Sequence, residues 1–278
     1  MDQQGIIGLA LITINCIVSF LGIRNPALVE KYCFEVDKIL IRKEYYRLIT
    51  SGFFHVGWMH LFFNMFSLYF FSQLLEALVG HWIFLLIYIV SLVGGNLLAL
   101  FIHKNNSYYK AIGASGAVSG IIFSSIALFP GMELRLWPIP INIPSWIYGL
   151  VYILITIYGI RSKKTNIGHE AHLGGALAGM LLAIGFYPEV LRTNFMPILF
   201  IAVPSIVFII LFAVKPGLVT FDFSSSKAKQ SYTLDDRYNE EKATREKEVD
   251  RILEKIHKKG MESLTEKEKK VLSAFSKK

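Results

Sequence analysis

Cysteine is nearly missing from this 278-residue chain: there are two, Cys16 and Cys33. Two cysteines build no disulfide framework and no metal cluster. A glycine-rich phosphate loop is also absent, as is any ligand set of zinc type, so neither a nucleotide, a metal nor another cofactor is expected. Charge is sparse before residue 215. About half of the basic residues, in a chain of net charge +8, lie after Val214. That distribution describes a solvated tail and not a nucleic-acid-binding face. The first apolar run lacks a basic stretch ahead of it and an obvious cleavage site behind it, so it reads as a retained helix and not as a signal peptide.

What is present is apolar. Hydrophobic residues make up 53% of the chain and the mean hydropathy is positive, which excludes an ordinary soluble domain. Seven apolar runs recur, at 5–23, 58–79, 81–102, 113–129, 144–160, 171–187 and 195–214. Each is near the length that crosses a hydrocarbon core about 30 Å thick. The expected fold is an all-α membrane protein, a polytopic helical bundle. Between the spans, 131–144 holds Pro138, Pro140 and Pro144 and reads as a loop. The first loop, Arg24 to Arg47, is long and half apolar. It suits either a connection with a short surface helix or a segment lying in the interface, anchored at headgroup level by Tyr45, Tyr46 and Arg47. After Lys215-Pro216-Gly217 comes a linker and then a helical pattern with Val249, Ile252, Leu253 and Ile256 on one narrow face. Gly260 stops it, and Thr265 with Glu268 forms a capping box for a last short helix. The domains are therefore 1–190, a six-span core; 191–217, an additional transmembrane helix; 218–236, a linker; and 237–278, a charged helical tail.

Polar residues inside the spans are few and cluster at span entrances. Ile112-Gly113-Ala114-Ser115-Gly116 opens the fourth run, which places Ser115 in the first turn of a membrane helix. There its hydroxyl and backbone N–H lie at the positive end of the helix macrodipole, beside unpaired backbone donors. Alone, a cluster of small residues is more often a packing face. His60 and Asn64, four apart, project from one face of the second span, with His55 above them. Ionisable and amide side chains are costly in a membrane and usually face a cavity or a partner. His169-Glu170-Ala171-His172 opens the sixth span. It is not a metalloprotease helix, which needs histidines at i and i+4. Behind His172, Gly175 and Gly179 let a second backbone approach closely, which would bring the imidazole to the Ser115 hydroxyl. Spans two, four and six run in the same direction, so their entrances share one membrane face.

These motifs, in this order and each at a span entrance, resemble the rhomboid family of intramembrane serine proteases. The resemblance covers the six spans from about 5 to 187; the seventh is an addition found in some members. It implies Ser115 as nucleophile and His172 as general base and then acid. It implies an oxyanion site from the Ser115 N–H with His60 and Asn64, Gly113 letting the loop approach the scissile carbonyl, and His55 lining a water-filled entrance. No carboxylate is expected to complete a triad. Many members carry a tyrosine four residues after the nucleophile that packs on the base; here Ser119 stands there, also lining the site. The family's Trp-Arg loop motif is Tyr46-Arg47 here.

The resemblance implies an intramembrane endopeptidase acting on single-span membrane proteins in the lipid bilayer, without metal or nucleic acid, and leaves a homo-oligomer open. The alternative is a catalytically silent relative that binds transmembrane helices. A small transporter would show internal repeats and helices broken at the midplane, and neither is evident. The expected location is multi-pass in a bacterial cytoplasmic membrane, with the site opening to the extracytoplasmic side. The basic residues disagree: Arg24, Lys31, Lys38, Arg42, Lys43, Arg47, Lys104, Lys110, Arg161, Lys163 and Lys164 lie on the site's face, against Arg135 and Arg192 opposite.

Overall fold

The structure, a computed structural model, describes residues 5–129, 131–135, 142–162 and 167–215, with 249–256, 258, 260, 263–265, 268 and 272 of the tail. The chain divides into two compact units, Met1–Phe223 and Ser224–Lys278. In the first unit, α1 (Ile6–Arg24) leads into a folded connection of α2 (Pro26–Tyr32), β1 (Phe34–Glu35), α3 (Val36–Leu40), α4 (Arg47–Thr50) and a 3-10 turn (Ser51–Phe53). Then follow α5 (Trp58–Val79), α6 (His81–His103), β2 (Lys110–Ala111), α7 (Ser115–Leu128), β3 (Glu133–Arg135), β4 (Asn142–Pro144), α8 (Ser145–Ser162), α9 (His169–Phe186), α10 (Val190–Thr193) and α11 (Phe195–Val214). All seven expected spans are helices. The expected loop over 131–144 contains a short antiparallel pairing, Glu133 to Pro144 through Arg135 to Asn142.

Five of the long helices have the length and hydropathy to cross a membrane: α1, α5, α6, α8 and α11. Their exposed residues are large and apolar, as lipid-facing surfaces require; α5 alone presents Trp58, Met59, Phe62, Phe63, Phe66 and Phe70. α7 differs. It has 14 residues, buried without exception from Gly116 to Leu128. Such a helix rises only about 21 Å, less than a hydrocarbon core of about 30 Å. It is therefore too short to span that core from face to face.

α7 is enclosed by α5, α6 and α9, and the contact with α9 is made backbone to backbone. A Cβ on Gly175 would strike the carbonyl of Gly116, one on Gly179 would stand 2.6 Å from the Cα of Gly120, and one on Gly174 would meet the Gly94 carbonyl at 2.8 Å. Glycines thus let α6, α7 and α9 close to a distance that no larger residue permits, and packing of this kind holds helices together where lipid supplies no hydrophobic drive. At the other end of the bundle, Glu76 on α5 is 2% exposed and accepts from the backbone N–H groups of Ile7 and Gly8, both at 2.9 Å. It caps the orphan donors of α1 and is also bonded to His81.

The connection over Arg24 to Arg47, open to two readings from the sequence, is part of a folded cap over 25–57, and Arg47 is no headgroup anchor. Its guanidinium is 3% exposed; it donates to the Cys33 carbonyl at 2.7 Å and the Glu30 carbonyl at 3.3 Å and pairs with Glu44 at 2.6 Å. That bond holds the Glu44 carboxyl below its usual range, and burial, then the Glu30 carboxylate, pushes the Cys33 thiol up. Of the three expected anchors, only Tyr45 and Tyr46 are exposed. The cap is stitched to the segment ahead of α7 by β1–β2 pairing, Phe34 to Ala111 and Glu35 to Lys110, and by Lys110 to Glu30 at 2.6 Å.

In the second unit, 249–256 is helical. Gly260 takes a left-handed φ of 76°, and Thr265 and Glu268 exchange the expected capping-box bonds at 3.3 and 2.8 Å. The linker expected over 218–236 lies outside the described residues.

The close approach of α7 and α9 makes a definite prediction. Gly175→Val forces the two backbones apart and destabilises the folded protein by about 3 kcal/mol or more. Gly185→Ala, on the same helix but with open space around its Cβ, leaves stability unchanged or slightly raised. Thermal unfolding in detergent of the two variants beside the wild type measures the contrast.

Candidate active site

Ser115 is the first residue of α7 and follows an N-cap at Ala114. His172 lies in the first turn of α9. Between them lies the tightest part of the bundle: the Cβ position on Gly116 is 3.1 Å from the Ala171 carbonyl, and that of Gly175 abuts the Gly116 carbonyl. Gly116 follows Ser115 and Ala171 precedes His172, so serine and histidine flank one backbone contact and stand at one level of the two helices. Both are half-buried.

The loop before Ser115 is shaped by Gly113. Its φ is 141°, a conformation that L side chains rarely adopt. A Cβ there would also sit 2.8 Å from Cε1 and 3.1 Å from Nε2 of His60, and 3.7 Å from Ser115 Oγ. The His60 ring and the Ser115 hydroxyl therefore share the pocket that glycine leaves open. The Gly113 N–H is held by the Ser51 carbonyl at 3.0 Å. Ser51 is in turn fixed by Asn96 of α6, whose amide donates to Ser51 Oγ and to the Leu48 carbonyl. Asn64 lies one turn below His60 and is 7% exposed; one of its two N–H groups donates to the His60 carbonyl at 2.9 Å.

A family model described as the rhomboid domain matches residues 42–189, a little over half of the chain. This chain belongs to the rhomboid family. A second model, a family of unknown function designated DUF6576, matches 232–278. Among relatives, the chain is 32% identical over 146 residues to Rhomboid-like protein 11, chloroplastic, of Arabidopsis thaliana, covering 50% of this chain and 51% of the relative. It is 29% identical over 150 residues to Rhomboid protein 1, mitochondrial, of Saccharomyces cerevisiae, covering 51% and 43%. It is 28% identical over 163 residues to Rhomboid protease GluP of Bacillus subtilis, covering 58% and 30%. The chain thus spans about half the length of the first of these relatives. Apolar helices and family together make it an integral, multi-pass membrane protein. The relatives are chloroplastic and mitochondrial as well as bacterial, so they do not support a bacterial cytoplasmic membrane in particular.

Three residues around the site have partners that the sequence did not reveal. His55 does not line an open entrance: it is 2% exposed and bonded at both ring nitrogens. Nε2 accepts from the Ala114 N–H at 3.4 Å and Nδ1 meets Ser19 Oγ at 2.8 Å, while the Ser19 hydroxyl also reaches the Phe53 carbonyl at 3.0 Å. One tautomer satisfies all three: Nδ1–H donates to Ser19, and Ser19 donates onward to Phe53. His55 is thus a strut that ties α1 and the cap to the residue preceding Ser115, and its ring stands edge-on to His60 at 4.9 Å. Glu170 is the second. A carboxylate does open α9, but it goes to His103 Nε2 at 2.9 Å, with Tyr109 stacked on His103. Burial, and then the Glu170 charge beside it, pushes the Tyr109 hydroxyl up.

The third concerns Ser119, which stands where many rhomboids carry a tyrosine. Its Oγ bonds the Ser115 carbonyl at 2.8 Å and the hydroxyl of Tyr152 at 2.8 Å. The Tyr152 ring, from α8, is stacked on His172 with centroids 6.0 Å apart and planes 27° from parallel. The sequence reading missed Tyr152. It falls mid-span in α8 with no motif around it, and only its i+4 spacing from Tyr148 set it apart.

Proposed function

We propose that this rhomboid is an intramembrane serine endopeptidase that hydrolyses peptide bonds in or near the transmembrane segments of single-span membrane proteins. The observation that supports the reading is the Gly116–Ala171 contact, because it adjoins both Ser115, the first residue of the buried α7, and His172 in the first turn of α9. His172 accepts the Ser115 proton as Oγ attacks the scissile carbonyl carbon. The oxyanion that forms is met by the Ser115 N–H at the helix N-terminus, by His60, and by the second N–H of Asn64. Collapse breaks the C–N bond; His172 protonates the departing amine, and the acyl group stays on Ser115. Water then attacks that ester, giving its proton to His172 and restoring both side chains. The short α7 and the half-buried serine describe a site below the membrane surface, where a transmembrane substrate and water can both reach it. No cofactor takes part in this scheme.

We further propose that the site opens to the extracytoplasmic side. Of the basic residues on its face, Arg47 and Lys38 of the folded cap and Lys110 of β2 are committed to Glu44, Glu30 and Glu35. Such charges are weaker reporters of a cytoplasmic loop than free ones.

Two outcomes are expected. In proteoliposomes holding a panel of single-span substrates, wild type cuts at least one of them. Ser115→Ala and His172→Ala lower the rate by about four orders of magnitude, and His60→Ala by about a hundredfold. A folded wild type that cuts nothing would leave the silent helix-binding reading in its place, and a Ser115→Ala variant that still cuts would remove Ser115 as the nucleophile. For sidedness, an extracytoplasmic-only reporter fused after Lys215 is active, because an odd number of spans puts that residue on the site's face. Reporter activity only when fused ahead of α1 would invert the orientation.

A further inference from the structure

A base on a helix needs something to hold its ring, and neither the Glu170 carboxylate nor a tyrosine on α7 does so here. Glu170 is bonded to His103. Position 119, one turn into α7, is a serine too short to reach over His172. The structure supplies the missing surface from a different helix. Tyr152 on α8 lays its ring over the His172 imidazole, centroids 6.0 Å apart and planes 27° from parallel. His169 also stands edge-on to His172 at 5.9 Å and 72°. The imidazole touches one ring face and one ring edge, and rotation about its χ2 would disturb both contacts.

Tyr152 is itself fixed. Phe123 of α7 packs on its ring at 5.5 Å and Tyr148 at 6.1 Å. Its hydroxyl is 2.8 Å from Ser119 Oγ, and Ser119 Oγ is 2.8 Å from the carbonyl of Ser115. Ser119 has a single O–H. With that proton directed at the Ser115 carbonyl, Tyr152 is the donor to Ser119, and all three groups are satisfied. The chain runs from the ring on the base, through two hydroxyls, to the peptide unit of the nucleophile.

We propose that Tyr152, held by Ser119, is the positioning residue for His172, so that the base is aligned from α8 by reference to the Ser115 backbone. The proposal rests on the serine-protease reading above. Two physical effects follow. The stacked plane fixes the direction in which the imidazole presents its nitrogens to Ser115 Oγ. The π face of Tyr152 also favours the imidazolium that forms when His172 takes the serine proton, an effect felt in the transition state and not in substrate binding. A ring that merely fills space between helices would give neither result.

The test uses the full chain in proteoliposomes with a substrate that the wild type cuts. Tyr152→Leu removes the ring; Tyr152→Phe keeps the ring and removes the hydroxyl; Ser119→Ala removes the hydroxyl's partner. Tyr152→Leu lowers kcat about tenfold or more with KM within about twofold. Tyr152→Phe restores most of that loss, ending about threefold below wild type. Ser119→Ala matches it, and the Tyr152→Phe/Ser119→Ala double variant is no worse than either single one, because both remove one link. An unchanged kcat in folded Tyr152→Leu, or a loss confined to KM, overturns the proposal. Should Tyr152→Leu fail to fold, the Phe and Ala pair decides: no loss, or losses that multiply, overturns it. A wild type that cuts nothing removes the protease reading and this inference with it. That result is distinct from a cutting wild type indifferent to Tyr152.

Discussion

Everything at the site depends on how close the backbones of α7 and α9 come. Gly116 and Gly120 on one helix meet Gly175 and Gly179 on the other, with Gly94 and Gly95 of α6 closing the third side. In lipid, an apolar side chain gains little by touching another, so small residues that let backbones approach are the main source of specific cohesion. Ser115 and His172 each adjoin this contact, and a side chain at Gly175 or Gly179 would press directly on the α7 backbone.

The second constraint is vertical. A helix of 14 residues is too short to span a hydrocarbon core of about 30 Å, and in the proposed reading its first residue lies below the surface, so that the chain comes down to it. The cap over 25–57 and the β1–β2 pairing bring it there. Gly113 bends the loop beside His60, the Ser51 carbonyl holds its N–H, and His55 holds the N–H of Ala114. These bonds involve α1, the cap and α6. Residues remote in sequence from Ser115 therefore determine where its hydroxyl points.

Much of this was legible in the sequence. The seven apolar helices follow from length and apolarity, which in a membrane leave the backbone no option but helix. The polar residues at span entrances and the glycines behind His172 follow from their cost and their use there. What was not legible is pairing across helices. Tyr45-Tyr46-Arg47 looks like an interfacial anchor, because a local reading cannot see that Arg47 is closed over by the Cys33 and Glu30 carbonyls. His55 looks like a pore lining, because nothing local reveals Ser19, thirty-six residues away. Tyr152 carries no motif at all. Its position over His172 depends on α8 packing beside α9, with Ser119, a departure from the usual rhomboid tyrosine, as the only hint that the ring must come from elsewhere.

The most direct test of the central claim is to find the atom that reacts. The full chain in detergent is treated with a fluorophosphonate, which phosphonylates an activated serine hydroxyl, and the adduct is mapped by mass spectrometry after digestion. The chain has many serines, several of them inside the bundle, so the assignment is exposed to failure. The account predicts one adduct, on Ser115, that is lost in a folded His172→Ala variant. An adduct on another serine, or labelling of Ser115 that persists without His172, would contradict it.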